Sequence, residues 1–184
     1  MKQLEIFLPA EEFTRLERFN AIEKYSAPKE QGDSFGGLNR AVSWMAKCNC
    51  AILSGWRQGN TRTVNDQNNK IIFDELHNAG YGISKCRGCY AEAGKPVSTE
   101  NSFFVFDMNG TGSLFFDRIK ALSERFNQDC FLYKEAGEGK QACLYGTNSN
   151  FGIGKIEHLG PMHIGSFSSS SYTRIGSGAI KFGY

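Results

Sequence analysis

The sequence predicts an α+β fold: a mostly antiparallel sheet with split β-α-β topology, N-terminal helices and a strand-rich C-terminal extension. Three observations predict it. From residue 49 onward, short apolar runs with strand periodicity alternate with longer segments of helical periodicity, in the order β-α-β-β-α-β-β. Twenty-one Gly against four Pro suit tight turns between strands. Fifteen Phe and seven Tyr in 184 residues supply a core of single-domain size. The boundaries predicted are an N-terminal helical region over 1–48, an α+β core over 49–150, and a Gly/Ser-rich β extension of the same domain over 151–184.

Taken in order, Phe13, Leu16 and Phe19 stand at near-helical spacing and predict a helix over 10–25. SAPKEQGDSFGG is a loop by its turn residues. Leu38, Val42 and Met45 predict a second helix that runs to about Lys47. NCAILSGW, 49–56, is a bounded strand. Thr63 and Asp66 have the spacing of a variant capping box, so a helix is expected to start there, with Ile72, Leu76 and Ala79 as its stripe and Gly80 as its stop. YGISKCRGCYAE, 81–92, predicts a strand with Gly88 as a possible bulge. The aromatic, β-branched run NSFFVFDM, 101–108, predicts another. Phe115, Ile119, Leu122 and Phe126 share a helix face. CFLYKE and QACLYG around AGEGK read as a hairpin. The tail predicts two or three further strands or a partly irregular cap.

Hydrophobic residues make up 40% and charged residues 22%, a globular balance. A net charge of +2 is too small for nucleic-acid binding by bulk electrostatics. The first residues lack the long apolar stretch of a secretory signal. No run approaches the ~18 apolar residues of a membrane span. A cytoplasmic protein of the host cell, without membrane partners, is the expectation. Of the six cysteines, Cys48, Cys50, Cys86 and Cys89 form two close pairs that could hold zinc. Buried thiols are the alternative, and it is preferred because Cys50 lies in an alternating strand. No metal and no cofactor are expected.

The predicted topology sends distant polar residues to one sheet edge. Arg57, Asn60, Arg62, Asn65, Asp66, Glu100, Asn101 and Gln128 are expected there, beside a helix start whose free amides attract anions. Arg57 and Arg62 can grip a carboxylate or phosphate. Asn60, Asn65, Asn101 and Gln128 can donate and accept. Glu100 could serve as a general base. The structural alternatives are an Arg57–Glu100 ion pair, a capping role for Thr63 and Asp66, and solvent-facing Asn68 and Asn69. In the tail, Lys155, Arg174 and Lys181 interleave with aromatic residues, which suits a nucleic-acid groove or an ordinary surface. DMNGTGS lacks the lysine of a phosphate-binding loop and reads as a turn. His158 and His163 would need partners to bind a metal.

The asparagines of the helix start (Asn65, Asn69), the Glu-Asn-Ser-Phe run (Glu100, Ser102, Phe103) and Gln128 make residues 49–135 similar to a family of small bacterial and phage proteins of unknown function. The resemblance implies that the polar edge is shared. By analogy of size and style, it implies a phage or mobile-element accessory protein that binds and inhibits a host defence complex, anti-CRISPR-like, at a protein or protein–nucleic-acid surface. The alternative is a small enzyme acting on a phosphate-bearing nucleotide or nucleic acid, with Glu100 as its catalytic residue.

Overall fold

In the computed structural model of the protein, residues 36–90, 98–165, 171–175 and 178–182 are described. The helix expected over 10–25 lies outside the described residues. Among the described residues, three helices, α1 (Gly36–Lys47), α2 (Arg62–Asn78) and α3 (Ser113–Arg125), accompany eight strands. The strands are β1 (Cys50–Leu53), β2 (Gly82–Tyr90), β3 (Ser98–Phe106), β4 (Cys130–Lys134), β5 (Gln141–Gly146), β6 (Ile156–Gly165), β7 (Ser171–Ile175) and β8 (Gly178–Phe182).

Strands β4, β1, β3 and β2 lie side by side in that order, every pair antiparallel. That is the split β-α-β arrangement expected from the sequence. The tail adds β6, β7 and β8, and the ring closes as β1-β3-β2-β7-β8-β6-β5-β4. Closure follows from two pairings at long sequence distance, β1 with β4 and β2 with β7.

Strand alternation divides the apolar residues between two cores. Phe104, Phe106, Cys50, Ile52, Cys86, Leu132, Ala142, Ile175 and Ile180 form one cluster with Ala41, Trp44 and Met45 of α1. With Leu159 and Met162 of β6, this cluster draws on all eight strands, so it is the barrel lumen and α1 is its plug. The odd-numbered neighbours Phe103 and Val105, together with Ala51, Leu53, Ile83, Phe131 and Tyr133, face outward. There Ile72 and Leu76 of α2 and Phe115, Ile119 and Leu122 of α3 cover them. All four residues of β1 are therefore buried. Lys134 locks the plug: its buried ammonium donates to the carbonyls of Met45, Glu135 and Gly137 at 2.8–2.9 Å, joining the end of α1 to the β4–β5 hairpin.

Two local expectations need correction. The cap of α2 is Thr61, whose hydroxyl accepts from the Val64 amide, so Thr63 and Asp66 lie inside the helix. Gly88 is no bulge. It keeps register with Glu100 on one side and Thr173 on the other. Among the described residues, no helix is long and apolar enough to cross a membrane.

Candidate functional site at the barrel rim

The loop from Ser54 to Asn60 leaves the end of β1 and turns across the start of α2. Asparagine side chains fix its shape. Asn65 is 1% exposed. It accepts from the Arg57 amide at 2.9 Å and donates to the Arg57 carbonyl at 3.0 Å, imitating a strand partner with one side chain. Asn60 donates to the same Asn65 oxygen. Asn69 accepts from the Gly55 amide at 2.7 Å and donates to the Asn101 carbonyl at 3.0 Å, where the Ser54 hydroxyl also donates. Asn68 donates to the Gly55 carbonyl. The alternative that Asn68 and Asn69 face water is therefore wrong: Asn69 is buried and Asn68 half-buried. Gly55 permits the close approach, because a Cβ there would stand 2.8 Å from the Asn68 Cβ.

A second strip of chain buckles this loop to the other side of the rim. Helix α3 ends at Arg125, and two residues on Asn127 takes φ = 51°. Asparagine tolerates that left-handed conformation. The turn delivers Gln128 and Asp129 to the rim. Gln128, 6% exposed, donates to the Trp56 carbonyl at 3.0 Å, and its own carbonyl accepts from Thr147. Asp129 Oδ1 accepts from Arg57 at 2.6 Å, Asn148 at 2.7 Å and Asn150 at 3.2 Å. Burial pushes the Asp129 carboxyl up, but the hydrogen bonds from Arg57, Asn148 and Asn150 and the Arg57 charge hold it below its ordinary value. A hollow of about 530 Å³ opens beside this buckle, lined by Arg57, Asn60, Asn68, Arg125, Phe126 and Asn127. A slightly larger hollow of about 570 Å³ lies between α2 and α3 and holds none of the predicted site residues. Of the two, the rim hollow is the one that Arg57 lines.

Arg57, Asn60, Asn65 and Gln128 thus meet in one hydrogen-bonded system, and the exposed Asn101 joins it through its main-chain carbonyl rather than the side chain expected to donate and accept. Arg62 and Asp66 do not join it. They form an exposed pair at 3.7 Å on α2, with 87% of the Arg62 side chain in solvent. The partner of Arg57 is Asp129 rather than Glu100. Glu100 sits half-buried on the face of β3 shared with Ser102, whose hydroxyl lies 3.4 Å from its Oε1, and outside the lining of the rim hollow. Asp129, Asn148 and Asn150 were missed by the sequence reading. The signal that could have found them is the polarity of NQD and TNSN at the ends of predicted strands.

The basic residues of the tail lie on different segments, Lys155 just before β6, Arg174 on β7 and Lys181 on β8. Lys155 pairs with Glu157 and lies over Phe151. The Lys181 backbone pairs with His163, which is ~25 Å along β6 from Lys155 at strand rise. Arg174 is exposed on β7, opposite Arg87. Among the described residues, no group of three or more His, Cys, Asp or Glu could hold a metal ion. All six cysteines are free thiols. Burial pushes Cys50 up to about 12, and burial together with the charges of Asp129 and Glu100 pushes Cys130 to about 12. Such thiols are poor nucleophiles. His158 Nδ1 lies 3.2 Å from the Cys143 sulfur.

No curated protein matches the chain. The model of the S-adenosylmethionine lyase family matches residues 51–180, from the second residue of β1 to the third of β8, and spans the whole rim. This overturns the expectation of a phage or mobile-element anti-defence inhibitor of the anti-CRISPR kind, which rested on size and style and not on any residue. The family is one of enzymes, and the enzyme alternative is the better supported. By this match over most of its length, the chain belongs to the S-adenosylmethionine lyase family.

Proposed function

We propose that the protein cleaves a carbon–sulfur bond of S-adenosylmethionine at the barrel rim. The observation that carries the reading is the family match, which includes every residue of the rim hydrogen-bond system from Ser54 to Asn150. The substrate has no phosphate, so the phosphate-bearing substrate expected from the sequence gives way to an amino-acid sulfonium. Arg57 then meets a carboxylate, which its planar fork fits equally well.

The substrate brings its own reactants. Its sulfonium is a leaving group that needs no acid, since the electron pair of the broken bond neutralises sulfur to a thioether. Its carboxylate can reach the carbon that sulfur leaves and close a five-membered lactone, an intramolecular step with a large effective molarity. Opposite charges disappear as this bond forms. Protein groups that pair with those charges hold the ground state more firmly than the transition state. The work left to the protein is to fold the substrate into the closing geometry and to keep water out. Glu100 suits the substrate's ammonium, whose charge is unchanged by the step. S-adenosylmethionine is an intracellular metabolite, which keeps a cytoplasmic location in this reading.

Chromatography of S-adenosylmethionine incubated with the purified protein tests it. A thioether nucleoside and a lactone are the expected products, and Glu100→Gln should raise KM about tenfold or more with little change in kcat, at an unchanged melting temperature. An unsaturated amino acid in place of the lactone would return Glu100 to the role of base. Failure to consume the substrate at millimolar concentration would sink the reading.

A further inference from the structure

The inference that follows rests on the functional reading above and concerns how Arg57 is aimed. A guanidinium on a loop has many rotamers and loses specificity unless something holds it. Three separate segments converge to do so. The Arg57 backbone is held at both its amide and its carbonyl by Asn65. Its side chain, 27% exposed, reaches across the rim to Asp129 through a single nitrogen, NH1. No other hydrogen bond of the Arg57 guanidinium forms among the described residues, so one edge of the fork is left for a ligand. Asp129 is itself immobilised. Asn148 and Asn150 donate to the same oxygen, Oδ1, that receives Arg57. Asn148 is braced in turn by the carbonyl and the side-chain oxygen of Asn127 at 3.2 and 3.1 Å, and accepts from the Asn150 amide.

We propose that Asp129 is the positioning residue that aims the Arg57 guanidinium at the carboxylate of the substrate. A two-pronged Asp–Arg pair would occupy a full edge of the fork and leave little charge to offer. A shared single oxygen fixes the direction of the guanidinium and leaves an edge open to the hollow that Arg57 lines. The remaining Asp129 charge opposes an incoming carboxylate, but its side chain is 47% exposed and water screens it. The contact therefore acts on orientation more than on local charge.

The test is calorimetric binding of two uncleavable thioethers, S-adenosylhomocysteine and its decarboxylated counterpart, to the full chain. Asp129→Ala should weaken S-adenosylhomocysteine about tenfold and leave the decarboxylated ligand unchanged. Arg57→Ala should do the same, and the double variant should lose no more than Arg57→Ala alone, since both act through one contact. Asp129→Asn keeps an acceptor oxygen at Oδ1 and should recover most of the loss. If Asp129→Ala fails to fold, Asn148→Ala takes its place: it removes a brace of the same Oδ1 and should weaken S-adenosylhomocysteine alone, by a smaller factor. In turnover, KM for S-adenosylmethionine should rise while kcat holds or increases, because a group paired with the reacting carboxylate favours the ground state. Equal weakening of both ligands, additive losses, or unchanged binding by Asp129→Ala would each overturn the proposal. If the wild-type protein consumes S-adenosylmethionine and these variants behave like it, this proposal alone fails. If the wild type neither binds S-adenosylhomocysteine nor consumes S-adenosylmethionine, the functional reading fails with it.

Discussion

The barrel lumen and the barrel rim are held by opposite kinds of force. The lumen is filled by Trp44, Met45, Phe104 and Phe106, with burial as its non-directional cement. The rim is a lattice of amide side chains, in which Asn65, Asn69 and Gln128 each serve main-chain groups that no strand or helix partner reaches. Removing apolar volume from the lumen weakens everything a little and nothing in particular. Removing one amide from the rim leaves named donors or acceptors unmet and displaces one loop. A body built the first way can carry a site built the second way, because the loop borrows its rigidity from α2 and β4 rather than from its own packing.

The comparison can be broken from the lumen side first. Trp44→Ala should lower stability by about 3–5 kcal/mol in denaturant unfolding, while turnover per folded molecule stays within a factor of two. A larger loss of turnover would mean that the plug shapes the site. On the rim, Asn69→Leu should cost about 1–3 kcal/mol by stranding the Gly55 amide, yet reduce S-adenosylmethionine turnover more than Trp44→Ala does. The reverse order would erase the distinction drawn here. Acid sharpens it further. Because the folded carboxyl of Asp129 titrates below its ordinary 3.8, its contribution is present above that pH and is lost as pH falls through the folded value. The melting temperatures of wild type and Asp129→Asn should therefore differ at pH 6 and converge once pH has fallen through the titration of the folded carboxyl, which lies below 3.8. The smallest effect belongs to neither region. Lys70 and Asp74 pair at 2.5 Å on the exposed face of α2, and Lys70→Gln should change stability by no more than about 0.5 kcal/mol.

How much of this was legible depends on the distance over which each residue acts. The run NSFFVFDM declares a strand because its alternation is local, and the neighbouring helices declare their stripes for the same reason. The ring could not be read, since the β2–β7 pairing depends on register between segments with no local mark of each other. The site divides in the same way. Asn65 and Asn69 lie 8 and 14 residues from loop groups they serve, within one loop–helix unit; the density of amides there pointed to Asn65, while Asn69 entered only through the family resemblance and as a solvent-facing alternative. Asp129 and Arg57 are 72 residues apart. Asp129 stands next to Gln128, a predicted site residue, but it directly precedes a strand and reads as an ordinary boundary residue. Arg62 misled for the converse reason. Its spacing from Arg57 suggested a pair, while the turn into α2 aims it at solvent.

Closure of the ring bears on how the chain is made. While residues after 150 are still inside the ribosome, β2 and β5 have no outer neighbour, and each offers a row of unsatisfied amides and carbonyls to any other nascent polypeptide nearby. Synthesis of the last three strands removes both hazards together, so a stop codon anywhere in that stretch should yield sticky, self-associating fragments rather than a smaller working protein.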